Sequence, residues 1–281
     1  MERFMMINPN FPKDVMRVLK ETSRTFAIPI RLLKKDLRQA VSTAYLVYRG
    51  IDEIEDHETL PNEMKVDILN DISELFKQPF TTEEYLAIIA PIHDELPEVS
   101  IRVPDWLHAC PETAQPILRE IAVEMAHGMS KWAEKNWDVQ TKEDLDEYTY
   151  YVAGIVGVLL SKLWDWSYGY EADYDLAIGF GRGLQAINIL RNQEEDMDER
   201  GVSFVPNGWT RDDLFAYAET NLSKADAYIE TLTEKSTILF CRLPLEFAHK
   251  SLDAMKKGHE KMTRQEVEET VIRVQDEVDK L

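Results

Sequence analysis

A run of acidic residues directly after an arginine stands at positions 49–56, with the sequence RGIDEIED. On a helix, Asp52 and Asp56 lie on one face about one turn apart, and Arg49 shares that face. Two carboxylates at this spacing repel each other and can share a hard divalent cation such as Mg²⁺, which also keeps water and phosphate oxygens in its shell. The guanidinium can pair with a carboxylate or bind phosphate. Taken alone, such a charge run is more often a solvent-exposed helix face.

A second segment of the same kind, RNQEED, occupies positions 191–196. Asn192 and Asp196 are four residues apart, and Gln185 and Asn188 precede them on the same helical face. A stripe of amides leading into a carboxylate suits the wall of a wet cavity, although a solvent-exposed polar face is the alternative. Two such segments facing each other would hold a Mg²⁺–diphosphate group. This arrangement favours an enzyme that acts on a prenyl diphosphate.

Glycines interrupt two of the helical patterns, at Gly154 and Gly157 and again at Gly179, Gly181 and Gly183. Each costs about 1 kcal/mol relative to alanine inside a helix, so a compensating role is expected. Small residues allow either close helix packing or room for a bulky substrate. A phosphate-binding glycine loop is disfavoured because no strand precedes these positions.

The composition predicts that helices position these residues. The chain has 281 residues, 44% of them apolar, with only 11 glycines and 12 prolines. Few helix breakers and many Leu, Ala, Glu, Lys and Met residues favour an all-α protein. No shift in composition marks a domain boundary, so we expect a single all-helical domain over residues 1–281.

Hydrophobic periodicity and turn residues predict ten helices. They span Lys13–Thr25, Lys34–Asp56, Asn62–Lys77, Thr82–Leu96, Thr113–Asn136, Lys142–Leu163, Tyr174–Asp198, Thr210–Thr233, Lys235–Lys257 and Thr263–Lys280. The long linkers are expected at Pro97–Pro111 and Asp198–Trp209. The two acidic segments then fall near the ends of the second and seventh helices.

The formal net charge of −20 limits the classes of partner. It disfavours nucleic acid, which needs a basic surface, and tight docking on anionic lipid, although a local basic or apolar patch could still touch a membrane. Cys110 and Cys241 fit no metal or disulfide pattern and are expected to be buried thiols. No signal peptide or membrane-spanning stretch is visible. We therefore expect a cytoplasmic monomer, with peripheral membrane contact during product release left open.

Five segments, in order along the chain, resemble squalene and phytoene synthases. They are SRTF (Ser23–Phe26), YLVYRGIDEIED, YVAGIVG, QAINILRNQEED and RGVSF (Arg200–Phe204). The resemblance runs from about Ser23 to Arg264. The SRTF segment, the YLV lead-in and FCRLP at positions 240–244 are more similar to squalene synthases. The resemblance implies an all-α isoprenoid-synthase bundle around a deep central cavity.

The same resemblance implies the head-to-head condensation of two identical prenyl diphosphates, with farnesyl diphosphate as the leading candidate. In that family one diphosphate ionises with Mg²⁺, and the double bond of the second substrate attacks the allylic cation. Loss of a proton gives a cyclopropylcarbinyl diphosphate, which ionises again and rearranges. The final cation is reduced by NADPH in squalene synthases and loses a proton in others. The implied product is squalene or dehydrosqualene, a C30 hydrocarbon.

Residue roles follow from the matched positions. The implied Mg²⁺ ligands, of which the three aspartates are also catalytic, are Asp52, Asp56, Asp196 and Asn192. Tyr148 matches a tyrosine that stabilises cations or relays a proton. The implied substrate-binding residues are Ser23, Arg24, Arg49, Gln185, Asn188, Arg191 and Arg200. Lys261 and Arg264, in KMTRQE, resemble the basic element linked to NADPH, so the implied cofactors are Mg²⁺ and, optionally, NADPH.

One departure stands at Asn192, where the family normally has aspartate. An amide oxygen can ligate Mg²⁺ but carries no charge, and Glu194 and Glu195 occupy different helical positions. This leaves room for a variant that stops at the cyclopropyl intermediate, hydrolyses the diphosphate to an alcohol, or prenylates a non-prenyl acceptor. A non-catalytic assembly or binding factor is a further alternative, against which the intact first segment and the three arginines argue.

Overall fold

The protein is described by a computed structural model over residues 11–23, 26–169, 171–258 and 264–280. Within these residues the secondary structure is helical and includes no strand, as the composition predicted. The α-helices are α1 (Phe11–Thr22), α2 (Ala27–Arg31), α3 (Lys35–Glu55), α4 (Asn62–Phe76), α5 (Thr82–Ile89), α6 (Glu98–Ile101), α7 (Val103–Ala109), α8 (Gln115–Glu134), α9 (Lys142–Thr149), α10 (Ile155–Tyr168), α11 (Tyr174–Glu195), α12 (Arg211–Thr231), α13 (Lys235–Lys256) and α14 (Arg264–Asp279). A 3₁₀ turn spans Ala90–Glu95, and π-helical turns span Tyr150–Gly154 and Asp196–Arg200.

The segment expected to be a long linker, Pro97–Pro111, instead contains α6 and α7. Trp106 of α7 is fully buried, and its indole N–H donates to the carbonyl of Val99 at 2.9 Å. Helices this short are marginal by propensity, and burial against the rest of the protein stabilises them. Local periodicity therefore could not reveal them, and the same holds for α2.

The segment Lys142–Leu163, expected to be one helix, is helical throughout, with a π-helical turn at Tyr150–Gly154. The helix continues as α10 to Tyr168 and is capped by Gly169, which has a left-handed φ of 71°. Two residues of the turn, Val152 and Ala153, line the central cavity. π-Helical turns are rare and often lie at functional sites.

Close packing of the α10 region against α11 explains two of the glycines. A Cβ atom added at Gly157 would collide with the carbonyl of Ala177, and one added at Gly181 would collide with the carbonyl of Ala153. Both glycines also line the cavity. Both expected uses of small residues, close packing and space in the cavity wall, therefore occur at the same place.

The helix α3 lies in the centre of the bundle and packs against α1, α6, α7 and α8. Its inner face carries fully buried Leu46, Ile51 and Ile54. Because the acidic end of this helix is anchored by such a core, its polar side chains are held at fixed positions. Cys110 and Cys241 are buried and unbridged, as expected. None of the described helices is long and apolar enough to cross a bilayer.

Candidate functional site

A cavity of about 540 Å³ lies between α3, the π-helical turn before α10, α11 and α13. Most of its wall is apolar or aromatic: Phe26, Ile30, Val41, Ala44, Tyr45, Tyr48, Met125, Val152, Val156, Leu159, Leu160, Phe180, Leu184, Ile189, Phe204 and Phe240. Its polar lining residues come chiefly from the ends of α3 and α11. Such a cavity suits a ligand with a long apolar body and a charged head.

The end of α3 carries a group of three carboxylates, Asp52, Glu55 and Asp56, which we call the acidic cluster. One oxygen from each lies within 4.8 Å of the other two, a spacing that allows a shared metal ion. Glu55 was not among the residues expected from the sequence. Its position three residues after Asp52 and directly before Asp56 places it on the same helical face, and that spacing was the available signal.

Arg49 binds the acidic cluster from one turn earlier on α3. Its guanidinium forms an ion pair with Asp52, donates to Glu53 at 2.5 Å and lies 4.0 Å from Asp56. The side chain remains 32% exposed, so it is accessible from the cavity mouth. Arg49 by itself does not balance the negative charge of the three carboxylates.

Asp52 has an unusual proton affinity. Burial, followed by repulsion from Asp56, raises the pKa of Asp52 to about 7, although Arg49 acts in the opposite direction. A carboxylate that is difficult to ionise in the apo protein gains most from an added cation. The acidic cluster therefore fits a divalent ion such as Mg²⁺, which Asp52, Glu55 and Asp56 would hold from the α3 side.

The facing wall of the cavity comes from α11. The predicted residues that line it are Gln185, Asn188, Arg191, Asn192 and Asp196. Arg191 donates to the side-chain oxygens of Asn188 and Asn192, each at 3.1 Å, and Asn188 donates to Gln185 at 3.3 Å. The fold thus brings the two segments, distant in sequence, to opposite sides of one cavity.

The α11 wall carries less negative charge than the acidic cluster. Asp196 is the carboxylate that this wall contributes to the cavity lining, and Asn192 contributes an uncharged amide. Among the described residues, no other group of three carboxylate, imidazole or thiol side chains is close enough to hold a metal ion. A cation held mainly by the acidic cluster would therefore have weaker ligands on the α11 side.

Tyr148 lies in the aromatic part of the cavity wall and is 4% exposed. Its ring stacks on Phe204 at 4.5 Å, and Trp132 meets it edge-on at 5.6 Å. Phe204, from the RGVSF segment, was not named as a site residue from the sequence. Aromatic ring faces attract cations, so this pair is suited to a cationic intermediate.

The other site residues predicted from the sequence either do not line the cavity or fall outside the residues that the structure describes. Ser23 is buried at the end of α1, where its hydroxyl accepts a hydrogen bond from the backbone N–H of Phe26 at 2.9 Å. It is not among the described residues that line the cavity, whereas Phe26 is. Arg24 and Lys261 fall outside the described residues, as do the side chains of Arg200 and Arg264. The roles assigned to these residues stay predictions.

The described residues form an all-helical bundle in which acidic groups stand at the mouth of an apolar cavity, a site suited to a ligand with an apolar chain and a charged head. Comparison with known protein families identifies the family of this chain: the model of the squalene/phytoene synthase family matches residues 19–214. The chain therefore belongs to the squalene/phytoene synthase family.

Curated relatives agree with this assignment. The squalene synthase of Schizosaccharomyces pombe is 30% identical over 279 residues, which cover 88% of this chain and 60% of the yeast protein. The squalene synthase of Rattus norvegicus is 28% identical, with 89% of this chain and 65% of the rat protein covered. The chain thus spans under two thirds of the length of these relatives.

Solved structures share the fold. The complex of TcSQS with the ligand BPH1237 has a TM-score of 0.78 and 24% identity, and covers 95% of this chain and 86% of that one. A dehydrosqualene synthase in complex with a ligand has a TM-score of 0.62 and 20% identity, and covers 97% of this chain and 99% of that one. These likenesses establish the isoprenoid-synthase helical bundle expected from the sequence.

Proposed function

We propose that the protein condenses two molecules of farnesyl diphosphate head to head into a C30 product, with Mg²⁺ as the cofactor. The observation that carries this proposal is the pairing of the acidic cluster and the α11 wall across the mouth of one apolar cavity. The charged mouth suits two diphosphate groups, and the apolar interior suits the prenyl chains. Family membership supports the same chemistry.

The charged residues at the mouth of the cavity have two roles, phosphate binding by the arginines and metal binding by the carboxylates. Arg49 and Arg191 bind phosphate oxygens, for which the planar guanidinium offers paired donors. Asp52, Glu55 and Asp56 would hold Mg²⁺, together with Asp196 at the end of the facing helix. Bound Mg²⁺ would neutralise the charge that develops on a departing diphosphate. The arginines also leave their present carboxylate and amide partners when the diphosphate arrives.

The apolar interior protects the cationic steps. Ionisation of one substrate releases diphosphate and leaves an allylic cation, which the double bond of the second substrate attacks. Loss of one proton then gives a C30 cyclopropylcarbinyl diphosphate, so two substrates yield this compound, one diphosphate and one proton. The stacked rings of Tyr148 and Phe204 stabilise positive charge in the wall. Exclusion of water prevents capture of the cations as alcohols.

The second half of the reaction determines the final product. The cyclopropylcarbinyl diphosphate loses its diphosphate and rearranges to a linear cation. Hydride from NADPH would give squalene, and loss of a proton would give dehydrosqualene. Product analysis with and without NADPH distinguishes the two outcomes.

Asn192 gives a second candidate function a specific basis. With an amide in place of a carboxylate on the α11 wall, metal affinity on that side is lower. A weaker second ionisation would make the protein release the cyclopropyl intermediate, or a prenyl alcohol, as its product. We favour the complete condensation because Arg191 and Asp196 line the same cavity as Arg49 and the acidic cluster.

We also propose that the protein is cytoplasmic and touches a membrane peripherally at α2. In this strongly acidic chain, the segment after Phe26 presents exposed Ile28 and Leu32 beside the exposed cations Arg31 and Lys35. Lys34 is also exposed and pairs with Glu234 at 3.1 Å, and Asp36 is the exposed acidic residue of the same segment. Ile30 of the same helix lines the cavity. Basic residues beside apolar ones favour anionic lipid surfaces, where a C30 hydrocarbon would dissolve.

Incubation of the purified protein with farnesyl diphosphate and Mg²⁺, with and without NADPH, tests the main proposal. We expect a C30 hydrocarbon by gas chromatography and mass spectrometry, and none when Mg²⁺ is removed by a chelator. Farnesol as the sole product would favour the hydrolase alternative. No turnover of either farnesyl or geranylgeranyl diphosphate would contradict the proposal and favour a non-catalytic role.

A further inference from the structure

A buried tryptophan from outside α3 contacts the acidic cluster. The indole N–H of Trp137 donates a hydrogen bond to Oε1 of Glu55. Trp137 is 5% exposed and Glu55 is 2% exposed, so the bond is shielded from water. The indole nitrogen can only donate, so it can orient the carboxylate without competing for a metal ion.

The backbone adopts an uncommon conformation to place this indole. Asn136 and Trp137, just after α8, both have φ of 52°, in the left-handed region that residues other than glycine rarely occupy. The turn is held by hydrogen bonds from the Trp137 N–H to the carbonyl of Trp132 at 2.9 Å and from Asn62 to the side chain of Asn136 at 2.6 Å. Strained backbone of this kind persists where surrounding contacts fix it, and it often accompanies functional sites.

A buried lysine completes the arrangement. Lys65 of α4 is 4% exposed, and its ammonium donates to the backbone carbonyl of Glu55 at 2.6 Å. The same ammonium lies 5.0 Å from the centre of the Trp137 ring. Glu55 is the last residue of α3, where carbonyls lack helical partners and a cation is favourable. The end of the helix and the carboxylate are therefore both fixed.

We propose that Trp137, supported by Lys65, is a positioning residue that holds the Glu55 carboxylate in the metal-binding geometry of the acidic cluster. The inference rests on the proposed function insofar as the cation is Mg²⁺ bound together with a diphosphate. Without the indole, the Glu55 side chain would sample other rotamers at a helix end. Partners of this kind commonly change metal affinity by about 10- to 100-fold.

The variant Trp137→Phe removes the indole N–H and keeps an aromatic ring. Trp164→Phe is a matched control, because Trp164 is fully buried and, among the described residues, its indole N–H has no hydrogen-bond partner. We expect Trp137→Phe to raise the Mg²⁺ concentration for half-maximal thermal stabilisation, in the presence of inorganic pyrophosphate, by about tenfold or more. Trp164→Phe should leave that concentration within twofold of the wild-type value.

A spectroscopic readout tests the bond directly. The chain has six tryptophans, so the indole region of a ¹⁵N-correlated NMR spectrum is simple, and Trp137 is assigned by its missing signal in Trp137→Phe. We expect this signal to lie downfield of the others, to move when Mg²⁺ and pyrophosphate are added, and to move upfield in Glu55→Gln. If Trp137→Phe does not fold, the Trp137 signal is assigned by elimination from single Trp→Phe variants at the other tryptophans, and wild type and Glu55→Gln are then compared.

The outcomes separate this inference from the proposed function. Equal Mg²⁺ dependence of Trp137→Phe and Trp164→Phe, or a Trp137 signal insensitive to Mg²⁺ with pyrophosphate and to Glu55→Gln, overturns the positioning role even in an active enzyme. A Trp137 signal that responds, in a protein that does not turn over farnesyl diphosphate, supports the positioning role while the proposed function fails.

Discussion

Arg49 and Asp52 form an ion pair within a single turn of α3, directly beneath the mouth of the cavity. The same guanidinium also contacts Glu53 at 2.5 Å. The cation expected to bind diphosphate is therefore paired with Asp52, a carboxylate expected to bind the metal. When Mg²⁺ and diphosphate bind together, Asp52 exchanges Arg49 for the metal ion and Arg49 exchanges Asp52 for the diphosphate. The binding of Mg²⁺ and the binding of diphosphate are therefore coupled.

Removal of the Asp52 carboxylate should abolish turnover without unfolding the protein. We expect Asp52→Ala to lower kcat by about 10²–10³-fold or more, the usual effect of losing one group that stabilises developing charge. Its melting temperature should stay near or above the wild-type value, because repulsion with Asp56 is relieved. Glu53→Ala is the control, since Glu53 also pairs with Arg49 but does not line the cavity. Near-normal turnover of Asp52→Ala would refute the metal-site assignment.

The raised pKa of Asp52 predicts a pH dependence of stability. Because its folded-state pKa of about 7 exceeds the unfolded value near 3.8, the native protein binds an extra proton between those limits. The free energy of unfolding of the metal-free protein should therefore fall as pH rises from about 4 to 7, with no further loss from this group above that. Melting temperatures across this range, compared between wild type and Asp52→Asn, measure the effect. Identical pH slopes would show that Asp52 titrates normally.

Mg²⁺ dependence distinguishes two roles of Asn192. If Asn192 is a weak ligand, Asn192→Asp should lower the Mg²⁺ concentration for half-maximal rate and keep the same product, because a carboxylate binds Mg²⁺ more strongly. If Asn192 diverts the chemistry, the substitution should shift the products towards the linear C30 hydrocarbon. We expect the first result. Metal titrations with mass spectrometry of the products separate the two, and no change in either would place Asn192 outside the metal shell.

Close helix packing predicts that alanine substitution destabilises the protein more at Gly181 than at Gly154. Gly181→Ala should destabilise the protein by about 1–3 kcal/mol, because the new methyl group meets the backbone of Ala153 and forces the helices apart. Gly154→Ala should cost much less, since its nearest neighbour is a side-chain atom of Ile178 at 3.1 Å. Urea unfolding of both variants gives the comparison. Equal losses would mean that helix contact is not what selects glycine at Gly181.

If α2 contacts the membrane, negative charges introduced at α2 should weaken vesicle binding more than a negative charge introduced elsewhere. The double variant with Ile28→Asp and Leu32→Asp should bind vesicles containing phosphatidylglycerol at least tenfold less, because two apolar side chains no longer insert and local positive charge falls. Ile272→Asp on α14, where the side chain is 62% exposed, is the control for an added charge elsewhere. Vesicle sedimentation measures both. Equal binding of the double variant and the control would exclude α2 as the contact.

The sequence predicted the candidate site in large part because its signals are local. Helical spacing placed Asp52 and Asp56 on one face and aligned Gln185, Asn188 and Asn192 on another, and the structure has both segments on helices that line one cavity. Spacing of three to five residues on a regular helix needs no knowledge of the rest of the chain. The all-α class followed equally from composition, which sums over many weak preferences.

Other features of the protein depend on contacts between distant parts of the chain, and only the tertiary structure determines them. The Glu55 carboxylate accepts a hydrogen bond from the indole of Trp137, which lies in a left-handed turn after α8. No pattern of apolar residues in the sequence indicates such a bond. The short helices α6 and α7 exist because Trp106 is buried by its neighbours. The proton affinity of Asp52 depends on burial as well as on spacing. Periodicity determines which side of a helix a residue occupies, whereas its partners and its solvation are determined by whatever packs against that side.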